Sequence, residues 1–226
     1  QHAYSLLLDT VNMPDTEYKA FSEYEAMADK HDYISAVPFK VSNKESIAKN
    51  LAIYSGFTEG LQLFSSFAIL LNFPRFGKMK GMGQIVTYSI RDESLHVEAM
   101  TNLFREFMKE NIHLWTDDFK KEIYQACREM VKLEDKFLDL VFEMGDIQGL
   151  TKSEMKEYIR YIADRRLLQL GLKPNFEVKD NPLSWLDDVL GVEHQNFFEG
   201  RATTYMKGGI KGNIETVQFK SLRLED

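Results

Sequence analysis

The residues of this chain that could do chemistry together are one histidine and two glutamates. Glu93 and His96 stand three positions apart in the motif Glu93-Ser-Leu-His96. Residues at this spacing project from the same face of a helix, so the pair can offer a carboxylate and an imidazole to one point. Glu59 is the only charged residue in the apolar run from Leu51 to Leu71. Because an unpaired buried carboxylate is costly or shifts its pKa, Glu59 needs a partner or a metal ion.

The donor types indicate which metals such a site would take. Carboxylate oxygens with a minority of imidazole, and without thiolate, favour iron or manganese over a structural zinc site. Ferritin-like bundles hold two such ions with a Glu from each of two helices and a Glu-x-x-His pair from each of two others. Glu59 with Glu93 and His96 forms half of that set. The alternative interpretation is a solvated helix face, on which Glu and His are both ordinary residues.

The positions of the two glutamates favour the metal interpretation. A connection between two predicted helices is centred near residue 76, and Glu59 and Glu93 each lie 17 residues from it (76 − 59 and 93 − 76). Antiparallel packing of the two helices across this connection would bring their midpoints together. We therefore expect Glu59, Glu93 and His96 to converge. Apolar side chains are expected to surround the pair: Tyr88, Ile90, Leu95, Val97 and Met100.

Apolar residues follow helical spacing through nearly the whole chain, and no segment shows the sustained alternation typical of a strand. Capping boxes predict helix starts at Ser42, with Glu45, and at Thr151, with Glu154. The segment Asn72-Phe-Pro74 predicts a helix end. Helices are predicted up to about residue 12 and over about 16–30, 42–71, 83–110, 116–144, 151–170 and 182–190.

This pattern predicts an all-α fold, a ferritin-like helical bundle over residues 1–193. A flexible C-terminal arm is predicted over residues 194–226, where four glycines lie among small and polar residues: Gly200, Gly208, Gly209 and Gly212. The chain opens at Gln1 within a helical pattern and without a methionine or a basic signal-peptide segment. We therefore expect the bundle to be incomplete at its N-terminus.

Composition excludes several classes of function. The chain has 226 residues and a formal net charge of −7, which argues against general nucleic-acid binding. Arg165 and Arg166, the adjacent arginines, lie in an amphipathic helix without basic neighbours. The apolar run 51–71 contains a glutamate, a glutamine, three serines and two glycines, so no membrane span is expected. The single cysteine, Cys127, fits a reducing cytoplasm and is predicted to be a small buried residue.

Five segments, in order along the chain, resemble one known protein family. They are Phe57-Thr-Glu59-Gly, Ile90-Arg-Asp-Glu93-Ser-Leu-His96, Tyr158-Ile-Arg-Tyr161-Ile-Ala-Asp-Arg165-Arg166-Leu, Asn181-Pro-Leu-Ser-Trp185 and Phe197-Phe198-Glu-Gly-Arg201-Ala-Thr-Thr-Tyr205. The family is the small, radical-generating subunit of class I ribonucleotide reductase, and the resemblance spans almost the entire chain. It implies a cytoplasmic homodimer that works with a large catalytic subunit to reduce ribonucleotides to deoxyribonucleotides.

The resemblance also assigns the metal ligands. Glu59, Glu93 and His96 would bind the second ion of a dinuclear centre containing Fe/Fe, Mn/Mn or Mn/Fe. The family takes a further Asp, Glu and His, and a tryptophan for radical transfer, from preceding helices, and these residues have no match here. His2 does not match the missing histidine, because it lies two rather than four positions before Tyr4. Four other candidates are expected to face solvent: Glu23, Glu25, Asp29 and His31.

Three further residues receive redox roles from the resemblance. Tyr4 would occupy the position of the radical tyrosine, and Asp92 would belong to the radical-transfer route to the subunit surface. Spacing alone equally allows Asp92 to be a surface partner of Arg91 or a lysine. Tyr205 would be the arm tyrosine that passes the radical to the large subunit, onto which the tail 213–226 would dock. A largely apolar wall is expected near Tyr4: Leu63, Phe67 and Ser89.

Three other functions remain open at this point. An iron-storage protein of ferritin type needs neither a radical route nor a partner-binding arm. An R2-like ligand-binding oxidase keeps the metal site but lacks the tail that binds the reductase. A metal-free chain could act as a structural partner alone. The glycine-rich arm disfavours the first two, and the presence of Glu59, Glu93 and His96 disfavours the third.

Overall fold

A computed structural model describes residues 2–14, 17, 19–36 and 43–188. Within these ranges the chain is helical and contains no β-strand, so the predicted all-α class is confirmed. The predicted boundary between residues 193 and 194, the arm with Tyr205 and the tail 213–226 lie outside the described residues. None of the described helices combines the length and apolarity that a membrane span requires.

The helices have the following bounds: α1 His2–Thr10, α2 Ala20–Glu23, α3 Glu25–Ala36, α4 Lys44–Ile53, α5 Phe64–Arg75, α6 Lys80–Glu110, α7 Asp117–Val141 and α8 Lys152–Gln169. A π-helical segment, Tyr54–Glu59, follows α4, and a short 3₁₀ turn, Ile112–Leu114, follows α6. A final helical turn covers residues 184–188. The predicted helix over 16–30 is instead α2 and α3, because the extended residue Tyr24 (φ −87°, ψ 117°) interrupts it without a glycine or proline signal.

The prediction of one helix over 42–71 was wrong. The segment consists of α4, the π segment, a turn at residues 60–63 and α5. The predicted capping box was also displaced. Asn43, rather than Ser42, caps α4: its side-chain oxygen accepts from the Ser46 backbone N–H at 2.8 Å, and Ser46 Oγ accepts from the Asn43 N–H at 3.1 Å. A hydroxyl thus replaces the expected Glu45 carboxylate in the reciprocal bond.

Pro74 lies inside the last turn of α5 and does not end it, contrary to the prediction. The ring occupies the crossing with α6, where a Cβ added to Gly83 would stand 2.3 Å from Pro74 Cγ. Glycine at position 83 therefore lets the two backbones approach closely, and this packing offsets the hydrogen bond that proline removes. Helix α6 begins at Lys80, three residues before the predicted start.

The helical segment from α4 through α5 runs antiparallel to α6. At one end Pro74 meets Gly83, and at the other Lys44 Nζ donates to Asn111 Oδ1 at 2.8 Å. Helix α7 packs against α3, α4 and α8, and α8 also contacts the π segment and α5. The predicted cap of α8 is confirmed, since Thr151 and Glu154 make both bonds of a capping box. The bundle therefore surrounds the π segment with α6, α7 and α8.

Candidate metal centre

Glu59, Glu93 and His96 converge between the π segment and the middle of α6. Each offers one ligand atom, and the three atoms all lie within 4.8 Å of one another. Within α6 the Nδ1 atom of His96 lies 3.3 Å from Oε2 of Glu93. This is the only group of three or more potential metal-ligating His, Cys, Asp or Glu residues among the described residues. The antiparallel packing expected from the sequence therefore brings the three side chains to one point.

The π segment gives Glu59 its place at the site. Glu59 is the last residue of the segment, and the bond from Gln62 N to Phe57 O, 3.1 Å long, spans five residues instead of four. Such insertions are rare and recur at functional sites, because each one rotates the following side chains relative to a regular helix. Sequence periodicity gave no indication of it. The segment Ser55-Gly-Phe-Thr-Glu-Gly60 offers two glycines as a signal. A Cβ added to Gly56 would meet Leu170, just after α8, and one added to Gly60 would meet Arg166 on α8.

Without a bound cation, the surroundings of Glu59 disfavour the ionised form of its carboxyl group. Burial raises the pKa of its carboxyl, the neighbouring Glu93 carboxylate raises the pKa further, and His96 lowers it. Two carboxylates and an imidazole this close together repel extra negative charge and attract a cation. The donor set has no thiolate and fits iron or manganese. The residues present therefore suit one position of a carboxylate-rich metal centre.

One side of this site is open in the described part of the chain. The side chains of Glu93 and His96 are 24% and 60% exposed. Ile90 and Val97 are buried on the inner face of α6, as predicted. The apolar surround predicted at Tyr88 and Leu95 was wrong, because the two side chains are 51% and 57% exposed. Ile90 and Val97, in contrast, lie seven residues apart on the core face of α6.

Tyr4 connects α1 to the same helix. Its phenolic O–H donates to Ser89 Oγ at 2.7 Å, and the Ser89 hydroxyl donates to the carbonyl of Ile85 at 3.2 Å. Phe67, predicted to lie near Tyr4, is buried, whereas Leu63 is 38% exposed. Asp92 lies on α6 next to Glu93 and is exposed. The structure thus places the tyrosine against the helix that carries two of the three candidate ligands, while Tyr205 lies outside the described residues.

Four buried polar side chains near the π segment were not identified from the sequence: Lys30, Ser65, Glu134 and Arg166. Arg166 was interpreted as part of an amphipathic helix, and the others occupy ordinary helical positions. Lys30 and Arg166 donate to backbone carbonyls that the interruption of the helix leaves without helical partners. Glu134 pairs with Lys30 and accepts a hydrogen bond from Ser65. The spacing of residue types in the sequence does not identify such backbone groups. Cys127, in contrast, is buried as predicted, and burial raises the pKa of its thiol to about 12.

Comparisons with known proteins find related sequences over most of the chain. A family model described as "Ribonucleotide reductase, small chain" matches residues 1–182. A probable ribonucleoside-diphosphate reductase small subunit of Invertebrate iridescent virus 3 is 41% identical, over 93% of this chain and 61% of the relative. Its counterpart in Invertebrate iridescent virus 6 is 42% identical, over 96% and 71%. The chain therefore spans about three fifths to seven tenths of the length of these relatives.

Solved structures give the same result for the fold. A putative class I ribonucleotide reductase from Bacillus halodurans superposes with a TM-score of 0.76 and 27% identity, covering 83% of this chain and 69% of the other. A ribonucleotide reductase R2 subunit from Clostridium botulinum gives 0.75 and 28%, covering 83% and 61%. The predicted ferritin-like bundle is thereby confirmed for the described residues.

Proposed function

Since the chain belongs to the family of ribonucleotide reductase small chains, we propose that it acts in the small subunit of a ribonucleoside-diphosphate reductase. In this role Glu59, Glu93 and His96 hold one ion of a dinuclear iron, manganese or mixed centre. The observation that carries the proposal is the convergence of their three ligand atoms within 4.8 Å. The spacing of Glu59 and Glu93 about residue 76 had predicted that their two segments pack antiparallel. The second ion requires further carboxylate and imidazole ligands of the type that the family supplies.

The bound ions would supply an oxidising equivalent, and the chain's own residues determine where it is kept. By resemblance Tyr4 would occupy the family's radical position, and its O–H is hydrogen-bonded to Ser89. Oxidation of Tyr4 by this equivalent would remove one electron and the O–H proton, the proton passing to solvent, and leave a phenoxyl radical. Ser89 holds the phenol in one orientation and accepts its hydrogen bond while donating to Ile85.

Transfer of the equivalent out of the bundle is the role proposed for Asp92 and Tyr205. Asp92 is adjacent to the ligand Glu93 and reaches the surface of α6. Tyr205 would accept the equivalent and pass it to a large catalytic subunit, on which residues 213–226 dock. The working assembly is a homodimer of small subunits with this partner, in the cytoplasm. The reaction is the reduction of ribonucleotides to deoxyribonucleotides.

Replacement of Tyr205 by Phe tests this function, since it removes the phenolic O–H and little else. With the large subunit present, Tyr205→Phe is expected to abolish reduction of a ribonucleoside diphosphate and to leave metal content and the tyrosyl electron paramagnetic resonance signal unchanged. The matched control is Tyr24→Phe, at a tyrosine that is 43% exposed between α2 and α3. Normal reduction by Tyr205→Phe would show that the radical route lies elsewhere.

A further inference from the structure

In the turn directly after Glu59, backbone carbonyls that would accept hydrogen bonds in a regular helix have no helical partner. In a regular helix the carbonyl of Gly60 would accept from the N–H of Phe64. Here that N–H donates to Leu61 O, at 3.1 Å, and α5 starts afresh. Gly60 and Gln62 are both buried. Buried carbonyls need a donor, so each of these requires one from outside the segment.

Arg166, from α8, satisfies the first carbonyl. Its Nε donates to Gly60 O at 2.7 Å, one guanidinium nitrogen donates to Gln169 Oε1 at 2.9 Å, and the group stacks 4.8 Å from the ring centre of Phe64. The side chain is 7% exposed, and no ion pair among the described residues includes it. Burial lowers the pKa of the guanidinium to about 10, which leaves it protonated at neutral pH. A buried cation is thus directed at one backbone carbonyl.

Lys30, from α3, satisfies the second carbonyl. Its ammonium donates to Gln62 O at 3.1 Å and lies 2.6 Å from Oε1 of Glu134. Glu134 on α7 is fully buried and also accepts a hydrogen bond from the hydroxyl of Ser65, at the start of α5. Burial raises the pKa of the Glu134 carboxyl, and the charge and hydrogen bond of Lys30 oppose that shift. The ion pair therefore contacts the turn at both Gln62 and Ser65.

Space at the turn is restricted as well. A Cβ on Gly60 would stand 2.5 Å from Gly56 O, 2.7 Å from Ser55 O and 2.8 Å from Arg166 Nε. The π-helical carbonyls and the guanidinium thus close around position 60 without room for a side chain. Since Glu59 is bonded to this residue, any rotation of the turn would move its carboxylate away from Glu93 and His96.

We propose that Lys30 and Arg166 are positioning residues, two buried cations that hold the backbone break after Glu59 and thereby fix its carboxylate at the candidate metal site. The effect on the metal rests on the function proposed above, whereas the effect on the backbone does not. Neither cation touches the three candidate ligands in the contacts that the structure describes. They act through the carbonyls of Gly60 and Gln62.

Amide hydrogen exchange, read by mass spectrometry on the metal-free chain, tests the backbone effect. The first variant is Arg166→Gln. The second combines Lys30→Met with Glu134→Gln, so that no unpaired charge stays buried. In both variants, exchange within residues 54–65 is expected to rise about ten-fold or more, the change that loss of a charged hydrogen bond produces in local opening. Peptides from α7 and α8 distant from the turn should keep their rates.

Surface ion pairs on the same helices provide matched controls. Arg160→Gln removes the contact of α8 with Asp135, and Lys136→Met removes the contact between α7 and Asp29. Neither control should accelerate exchange in residues 54–65. If Arg166→Gln does not fold, Arg166→Lys keeps a charge and a donor and should show a smaller acceleration of the same segment. Acceleration spread evenly over the chain, or none at residues 54–65, would overturn the proposal.

The second readout is the affinity for Mn²⁺, measured from the electron paramagnetic resonance signal of the free ion. Arg166→Gln and the double variant Lys30→Met with Glu134→Gln should each bind Mn²⁺ at least about ten-fold more weakly than the unaltered chain, because the displaced Glu59 carboxylate no longer binds the ion. The two controls should bind it as the unaltered chain does. Local exchange that rises without any change in Mn²⁺ affinity would refute the positioning role. Failure of the unaltered chain to bind Mn²⁺ would count against the proposed function, and the exchange result would still stand.

Discussion

Among single residues, Glu59 has an environment poorly suited to its own charge. It lies in a chain segment with no other charged side chain, and burial together with Glu93 raises the pKa of its carboxyl. The folded, metal-free chain therefore binds a proton at Glu59 more strongly than the unfolded chain. Ionisation of Glu59 then costs stability that a bound cation would restore. Such a residue is expected at a site built for a ligand that the apo chain lacks.

Glu59→Gln tests this directly in the metal-free chain. The raised pKa means that stability falls as pH rises from the unfolded-state value through the folded-state value, and the loss persists above it. Glu59→Gln should remove that fall and stabilise the apo chain at pH 7, by less than about 1 kcal/mol because the partly exposed group is screened. Urea unfolding at a series of pH values measures the effect. Glu98→Gln, at an exposed position of α6, is the control.

Two results would contradict this account. One is a lower stability of the metal-free Glu59→Gln chain at pH 7 than of the unaltered chain. The other is a pH dependence of stability in Glu59→Gln equal to that of the unaltered chain. Mn²⁺ provides an internal check, since it should stabilise the unaltered chain more than Glu59→Gln. This comparison separates a ligand carboxylate from one that is merely hydrogen-bonded within the fold.

The three candidate ligands could be predicted from residue types and spacing, but the groups that hold them could not. Glu93 and His96 share a helix face wherever the helix begins and ends, and Glu59 is the one charged residue in an apolar run. Arg166 and Lys30, in contrast, have unremarkable sequence contexts. Their partners are the carbonyls of Gly60 and Gln62, which need donors only because the π segment interrupts the helix. That interruption depends on tertiary packing and has no periodicity signal.

At the scale of elements, the crossing of α5 and α6 sets the register of the site. Pro74 and Gly83 meet at the connection, and both candidate ligands of α6 follow within four helical turns. A shift of α6 along α5 would carry Glu93 and His96 past Glu59. The closeness of the two helices at this point is therefore a requirement of the site as well as of the core.

Gly83→Ala tests the crossing. The added Cβ would overlap Pro74 Cγ, so the two helices must separate, and overpacking of this kind costs about 1–3 kcal/mol. The control is Gly81→Ala, two residues earlier in the same helix, where a Cβ meets nothing within 4 Å. Its higher helix propensity should stabilise the chain by up to about 1 kcal/mol. The urea concentrations at the unfolding midpoints of the two variants should therefore shift in opposite directions from that of the unaltered chain. Equal midpoints would show that the helices do not depend on contact at position 83.

Helix ends were predictable where the capping residues act locally. Thr116 and Thr151 cap α7 and α8 as their sequences indicate, because an N-cap needs only the next three residues. The break at Tyr24 and the passage of α5 through Pro74 were not predictable. The first has no turn residue, and the second depends on Gly83 from another helix.

At the scale of the whole molecule, α6 links the parts of the proposed function. This helix of 31 residues carries Glu93 and His96, presents Ser89 to Tyr4 and packs on the π segment that ends in Glu59. Two candidate ligands, the hydrogen-bond partner of Tyr4 and Asp92 therefore share one helix. The open side at His96 is where further ligands would have access.

The central claim is that Glu59, Glu93 and His96 bind a metal ion, and one measurement tests it most directly. Mn²⁺ is titrated into the unaltered chain, Glu93→Ala and the exposed control Glu98→Ala, and the signal of free Mn²⁺ is followed by electron paramagnetic resonance. Loss of a ligand carboxylate should weaken binding in Glu93→Ala at least about ten-fold, because charge and coordination are lost together. Glu98→Ala should bind as the unaltered chain does. Equal affinity in Glu93→Ala and the unaltered chain would contradict the account.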